Sequence, residues 1–229
     1  MTNRVLPTPE KFASCPYDGK ILSFYEGQFD CVYVLLHPFL RPTTIDIERF
    51  CPSMWPDKHE IINGCDAISW QEIIEISGLN SLSDIDVGLR TSIGGLKKEL
   101  SNELFAKKLV ELEQQHIIHP QEGDIPPLLE NRLLKTIKEL GHNWLWVGDE
   151  FGTERKLLWI DDLVEQDEIP PHGCIFTHDH SLLVTTHWDS HCSFLCSSKE
   201  MVEKILSLDP FEGFYCTANT EVYWGAYDI

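Results

Sequence analysis

At 229 residues, with 42% hydrophobic and 10% aromatic content, the chain has the make-up of one globular domain that buries a core, with an irregular stretch over residues 1–28. Its 37 Asp and Glu against 18 Lys and Arg leave a net charge of −19. That balance excludes a protein that grips nucleic-acid phosphates through clustered cations, and it disfavours an anionic membrane surface. No apolar run approaches the ~20 residues of a bilayer span, the N-terminus lacks the apolar segment of a signal peptide, and the eight cysteines form no CxxC pair. A cytoplasmic setting with reduced thiols is the expectation.

In chain order, Phe29–Leu40 is a continuous apolar run, the pattern of a strand buried on both faces, with His37 as a structural histidine at its end. Pro42, Pro52 and Pro56 mark an irregular connection. Ser69 and Glu72 have the spacing of a capping box, which predicts a short helix ended by Gly78. The stretch 84–100 reads as a loop entering a helix. Arg90 and Gly94-Gly95 are weak candidates there for holding an anion, and the phosphate-loop spacing is absent. Leucines then recur at near-helical spacing to about residue 115, with a break at Ser101-Asn102. Pro126-Pro127 open a further helix, with Leu129, Leu133, Ile137 and Leu140 on one face and Gly141 at its stop.

Residues 143–163 read as a hairpin with Gly152-Thr153 at its tip. The register this implies sets Glu150 opposite Arg155, Asp149 opposite Lys156 and Trp146 opposite Trp159. Glu150 is a weak candidate for an acid catalyst if the hairpin lies beside the histidines further on. The segment 161–171 follows, with five carboxylates in the eight residues 161–168.

Half of the ten histidines fall between His172 and His191. With 174–178 as a strand, 179–181 as its turn and 182–196 as a long return strand, His187, Asp189 and His191 alternate onto one face. Two imidazoles and a carboxylate suit a divalent transition metal such as zinc, with His178 or His180 joining from across the hairpin. Iron, manganese and nickel accept the same donors. The spacing matches no HExxH-type signature, and a hydrogen-bonded polar seam accounts for the same residues. Cys192 and Cys196 share a face and read as buried, inert thiols. Ser197 and Glu200 have the spacing of a second capping box and start a helix with Met201, Val202, Ile205 and Leu206 inward, and two short aromatic strands close the chain.

Four segments, GLRTSIGGL (88–96), LGHNWLWVGDEFGTERKLLWIDDL (140–163), FTHDHSLLVTTHWDSHCSFLCSS (176–198) and FEGFYCTANTEVYWG (211–225), together resemble a bacterial family known only as a domain of unknown function. The resemblance runs over most of the chain and implies a single domain in a bacterial, cytoplasmic setting. It implies no activity, ligand or catalytic residue.

The expected architecture is α+β, a largely antiparallel sheet from the C-terminal half packed by helices from residues 69–140 and 198–208. Two functions are weighed. The first is a non-enzymatic acidic binding protein of immunity or regulatory type, whose partner is a basic protein. The alternative is a metal-dependent hydrolase, or related enzyme, built on His178–His191.

Overall fold

The computed structural model describes residues 8–150 and 152–227. Its helices are α1 (Ile21–Tyr25), α2 (Lys58–Gly64), α3 (Trp70–Ser77), α4 (Leu82–Ser92), α5 (Glu103–Val110), α6 (Pro127–Glu139), α7 (Ile160–Glu165) and α8 (Lys199–Leu208). Its strands are β1 (Cys31–Leu36), β2 (Phe39–Pro42), β3 (Cys65–Ile68), β4 (Trp144–Gly148), β5 (Arg155–Trp159), β6 (Cys174–Thr177), β7 (Leu183–Thr186), β8 (Cys192–Ser197) and β9 (Gly213–Tyr215). Seven strands form one antiparallel sheet in the order β5-β4-β6-β7-β8-β1-β9, and β2 pairs with β3 apart from it. The architecture is α+β, as the sequence pattern predicts, with β1 contributed to the sheet by the N-terminal half.

Alternation along the strands builds two cores. Val32, Val34, Phe194, Leu183 and Phe176 face Trp70 and Ile73 of α3 and Ile85 and Leu89 of α4. Tyr33, Leu35, Leu195, Val184 and Leu145 face α6, α7 and α8 through Leu133, Ile137, Leu163, Val202 and Ile205. A strand covered on both faces has no solvent side, which is why β1 reads as unbroken apolar sequence.

The capping logic holds with two adjustments. Ser69 and Glu72 make the expected box, and Gly78 ends α3 in the left-handed region at φ 64°. The cap of α8 is Ser198, one residue after the expected Ser197, accepting from Met201 N without a box, while Asp57 and Glu60 form a box at α2 that the sequence pattern had not suggested. Pro127 opens α6.

Four expectations are corrected. Residues 84–92 are helix, not loop: Ser81 caps the start by accepting from Asp84 N, and Ile85 and Leu89 fall four apart on the buried face. Gly88 inside α4 admits α5, since a Cβ there would lie 2.7 Å from Leu109 Cδ1. The hairpin register is displaced by two residues, pairing Trp144 with Trp159 and Trp146 with Leu157. Asp149 causes this, its carboxylate accepting from Thr153 N (2.7 Å) and Glu154 N (3.3 Å) and lengthening the turn at the expense of the ladder. A shift of two leaves every side chain on its expected face, and the tryptophans still meet edge-on, Trp144 against Trp159 at 5.1 Å. Arg155 pairs with Glu10 and Lys156 with Glu168, in place of the predicted cross-strand partners. Finally, residues 182–196 are two strands, with β7 and β8 joined by the loop 187–191. The second aromatic segment of the C-terminus forms a 3-10 turn at Trp224–Ala226 in place of a strand.

Candidate functional site

The loop 187–191 places the predicted histidines in surroundings quite unlike a strand face. Ladder pairing ends at Thr186 opposite Ser193, and Ser190 Oγ sits 2.9 Å from the carbonyls of both His187 and Cys192, tying the loop to itself. Asp189 N donates to His187 Nδ1 (3.1 Å), which leaves Nε2 as the protonated nitrogen, and that nitrogen donates to Tyr17 O (3.0 Å). Both imidazole nitrogens are therefore occupied. Burial, then the Arg90 charge, lowers the pKa of His187 to about 4. His191 is 3% exposed; burial, then Arg90, His37 and His119, holds it well below the ordinary histidine range.

His178 and His180 lie at the other end of the hairpin, in the β6–β7 turn. His178 Nδ1 accepts from Trp146 Nε1 (3.1 Å), and His180 stacks on Phe12 with ring centroids 3.7 Å apart. The expected union of these two with His187, Asp189 and His191 is not formed, because the two groups are separated by the length of the strands. Among the described residues, no three His, Cys, Asp or Glu side chains are placed to hold one metal ion.

Arg90 likewise departs from its anion-holding role. It is fully buried on α4, with Nε 3.0 Å from Asp86 Oδ1 one turn away. Its Nη1 donates to Asp189 O and its Nη2 to Val222 O (3.1 Å), and its guanidinium lies over the Tyr223 ring at 4.8 Å. All these donors point into protein. Arg90 fastens the loop 187–191 and the C-terminal segment to α4.

Beside that loop lies a group of carboxylates. Gly123 N donates to Ser190 O, and His172 N donates to Gly123 O, both at 2.9 Å, so residues 122–124 lie between the loop 187–191 and the segment leading into β6. Gly123 has φ +70°, and an added Cβ there would overlap the His172 ring, so this position needs glycine on both counts. His172 itself is left-handed at φ 57°, a conformation few non-glycine residues adopt. Its Nδ1 lies 3.1 Å from Glu150 Oε2. Glu122, Asp124, Asp167 and Asp189 are the other carboxylates here. Burial and then the Asp189 charge raise the Glu122 pKa, whereas burial raises that of Asp124 with Asp167 adding to it; the nearby His172 lowers both.

Gly123 and Asp124 also line a cleft that encloses about 140 Å³, together with Trp55, Ile61, Asp167, Pro170 and Thr186. Lys58 and Glu130 pair within it at 2.6 Å, their side chains 4% and 5% exposed. Lys58 Nζ also donates to the carbonyls of Leu163 and Gln166 (3.0 Å for Gln166), which fills its three donors. Burial pushes the Glu130 carboxyl up to about 7, Asp167 adding to the rise and Lys58 opposing it.

Of the predicted site residues, the structure thus sets Glu150 against His172 and Asp189 beside Glu122 and His187, with Arg90 behind Asp189, and leaves His178, His180 and His191 elsewhere. Lys58, Glu122, Asp124 and Glu130 escaped the sequence reading. Lys58 carried only the cue of following a helix cap, and its partner lies 72 positions away. Two further nucleophile candidates are sealed in. Ser193 Oγ is 2.7 Å from His37 Nε2 with both residues fully buried, and burial raises the Cys192 thiol to about 11.

The family model described as "Protein of unknown function (DUF2711)" matches residues 17–226. A Bacillus subtilis (strain 168) relative, "Uncharacterized protein YwbB", is 21% identical over 174 residues, which is 75% of this chain and 77% of that protein. No solved structure matches.

Proposed function

From the premise that the chain belongs to the DUF2711 family, whose description names no activity, we propose that it is a non-enzymatic binding protein whose cleft receives a basic protein partner. The observation that carries this reading is the grouping of Glu122, Asp124 and Glu150 about His172, with Asp189 beside Glu122 and Asp167 beside Asp124. Beyond the effect of burial, Asp189 raises the pKa of Glu122 and Asp167 that of Asp124, a repulsion that a cation arriving from outside relieves. The −19 charge extends the same field over the surface and speeds the encounter with a positive partner. A cytoplasmic setting accords with eight free cysteines, and no helix among the described residues is long and apolar enough to cross a membrane. Hydrolysis built on His178–His191 draws no support from the geometry, since those residues occupy opposite ends of a hairpin.

The test is binding of a lysine-rich peptide and of duplex DNA at low and high salt, with wild type and with the triple variant Glu122→Gln, Glu150→Gln, Asp189→Asn. Peptide binding that weakens with salt and with neutralisation, and no binding of DNA, is the expected pattern. Peptide affinity indifferent to both changes, or DNA held as tightly, overturns the reading.

A further inference from the structure

The large sheet ends at β5, which among the described residues pairs with β4 alone. An edge strand offers its N–H and C=O groups to any chain that can pair with it, and natural sheets blunt such edges with charges, bulges or short strands. The ladder fixes which groups of β5 are offered. Asp149 N donates to Glu154 O, and Ile160 N donates to Asn143 O. By the alternation of an antiparallel pair, the backbone groups of residues 154, 156, 158 and 160 turn toward β4. Those of Arg155, Leu157 and Trp159 turn outward.

The side chains of these three residues share one face of the sheet. Trp144 and Trp146 of β4 stand opposite Trp159 and Leu157 on that face. Trp144 is 50% and Leu157 41% exposed, so an apolar, aromatic surface runs up to the open edge. The two cations of the strand are engaged within their own chain, Arg155 with Glu10 and Lys156 with Glu168 at 3.6 Å.

We propose that β5 pairs antiparallel with β5 of a second copy of this chain, about a two-fold axis at Leu157, so that two sheets join into one. The outward row is symmetric about that residue. The axis sets Leu157 against its own copy and Arg155 against Trp159 of the other chain, once on each side, and every outward N–H and C=O meets a partner. Moving the axis one residue either way keeps only two of these three pairs within the strand. Arg155 opposite Trp159 is also a favourable cation–aromatic pair. The occupant is a second copy and not the basic protein of the cleft, whose cations would meet Arg155 and Lys156. The five residues of β5 hold no carboxylate, so two chains of net charge −19 pair along it without setting acid against acid. The inference does not rest on the cleft, and either reading can fail alone.

The experiment is sedimentation of the full chain over a range of concentrations. A monomer–dimer equilibrium is expected, and a contact this small places it at micromolar concentrations and above. Leu157→Lys sets like charges on the axis and should weaken the dimer by about a hundredfold, with circular dichroism to show that the exposed site leaves the fold intact. Leu157→Cys should give a disulfide-linked dimer on mild oxidation, because paired Cα atoms lie ~5.5 Å apart in such a ladder, within disulfide reach. Trp144→Cys, one strand back from the edge, should not. A chain that is still monomeric at about 1 mM overturns the proposal, whether the edge stays bare or takes another protein. A dimer that keeps its affinity in the Leu157→Lys variant lies elsewhere on the surface and overturns it too. Equal cross-linking by the two cysteine variants overturns the axis at Leu157.

Discussion

Acid should loosen this fold through histidines that the native state keeps neutral. His37, His187 and His191 are 0%, 3% and 3% exposed. Burial lowers His37 to about 3 and, together with Arg90, His187 to about 4, with His191 well below its ordinary value. In the unfolded chain each takes a proton near pH 6.5, whereas the native protein refuses it until the pH falls much further. Their stabilisation is therefore complete above about pH 6.5 and is lost as pH falls toward the folded values. Between about pH 7.5 and pH 5, one such histidine removes about 2 kcal/mol and His37 with His187 about 4 kcal/mol, His191 acting in the same sense. Glu130, raised to about 7, works in the opposite sense and returns about 2 kcal/mol over the same interval. The loss that remains is a large part of the 5–15 kcal/mol of a typical domain. Urea unfolding at the two pH values measures the sum, and His187→Gln isolates one member, because the variant should lose about 2 kcal/mol less than wild type on acidification. An equal loss in the two proteins, or a His187 ring that titrates near pH 6.5 by NMR, would refute the reasoning.

Arg90→Met should destabilise by about 3–5 kcal/mol, since it leaves Asp86 buried without its cation; chemical denaturation reads this, and a cost under about 1 kcal/mol would mean that Asp86 finds another partner. Gly123→Ala should cost about 1–3 kcal/mol through backbone strain alone, and the displaced His172 should lower affinity for the lysine-rich peptide; unchanged stability and binding would contradict the geometry at Gly123. A double-mutant cycle on Trp144 and Trp159 should give a coupling of about 0.5–1.5 kcal/mol. The same cycle on Trp146 and Trp159 should give little, and the reverse result would restore the two-residue turn.

What the sequence made legible followed local rules. The cap at Ser69 with its stop at Gly78, the helix opened by Pro127 and the unbroken apolar β1 all depend on neighbours within a few positions. The hairpin was recognisable from its alternating aromatics, yet its register turned on one side chain, Asp149, whose hydrogen bonds compete with the ladder. The 182–196 strand failed for a related reason. Ser190 bonds the backbone on both sides of itself and closes a loop where β-branched content favours a strand. Residues 84–92 misled because Gly94-Gly95 drew the whole stretch toward a loop, whereas those glycines follow the end of α4, and Gly88 within it is what lets α5 approach. The cleft was the least legible part. His172, Glu150 and Asp189 were visible as residue types, but Lys58 with Glu130 and Glu122 with Asp189 are brought together by topology, and no spacing announces that.

The two buried cations account for why such a cleft keeps its shape. Hydrophobic residues of similar volume would often serve stability as well as a buried ion pair does, so stability alone does not explain Lys58 and Arg90. Each makes bonds that an apolar side chain lacks. Lys58 on α2 holds Glu130 of α6 and the carbonyls of Leu163 and Gln166, just ahead of Asp167. Arg90 on α4 holds Asp86, the carbonyl of Asp189 and that of Val222. Both therefore fix backbone next to a carboxylate of the cleft, one at Asp167 and the other at Asp189. Loops that carry like charges tend to splay apart, and these two cations oppose that from the protected side while their own charge is matched by Glu130 and Asp86. Acidity at the surface and ion pairs in the interior are then parts of one arrangement, in which the interior positions the carboxylates and leaves them to an outside cation.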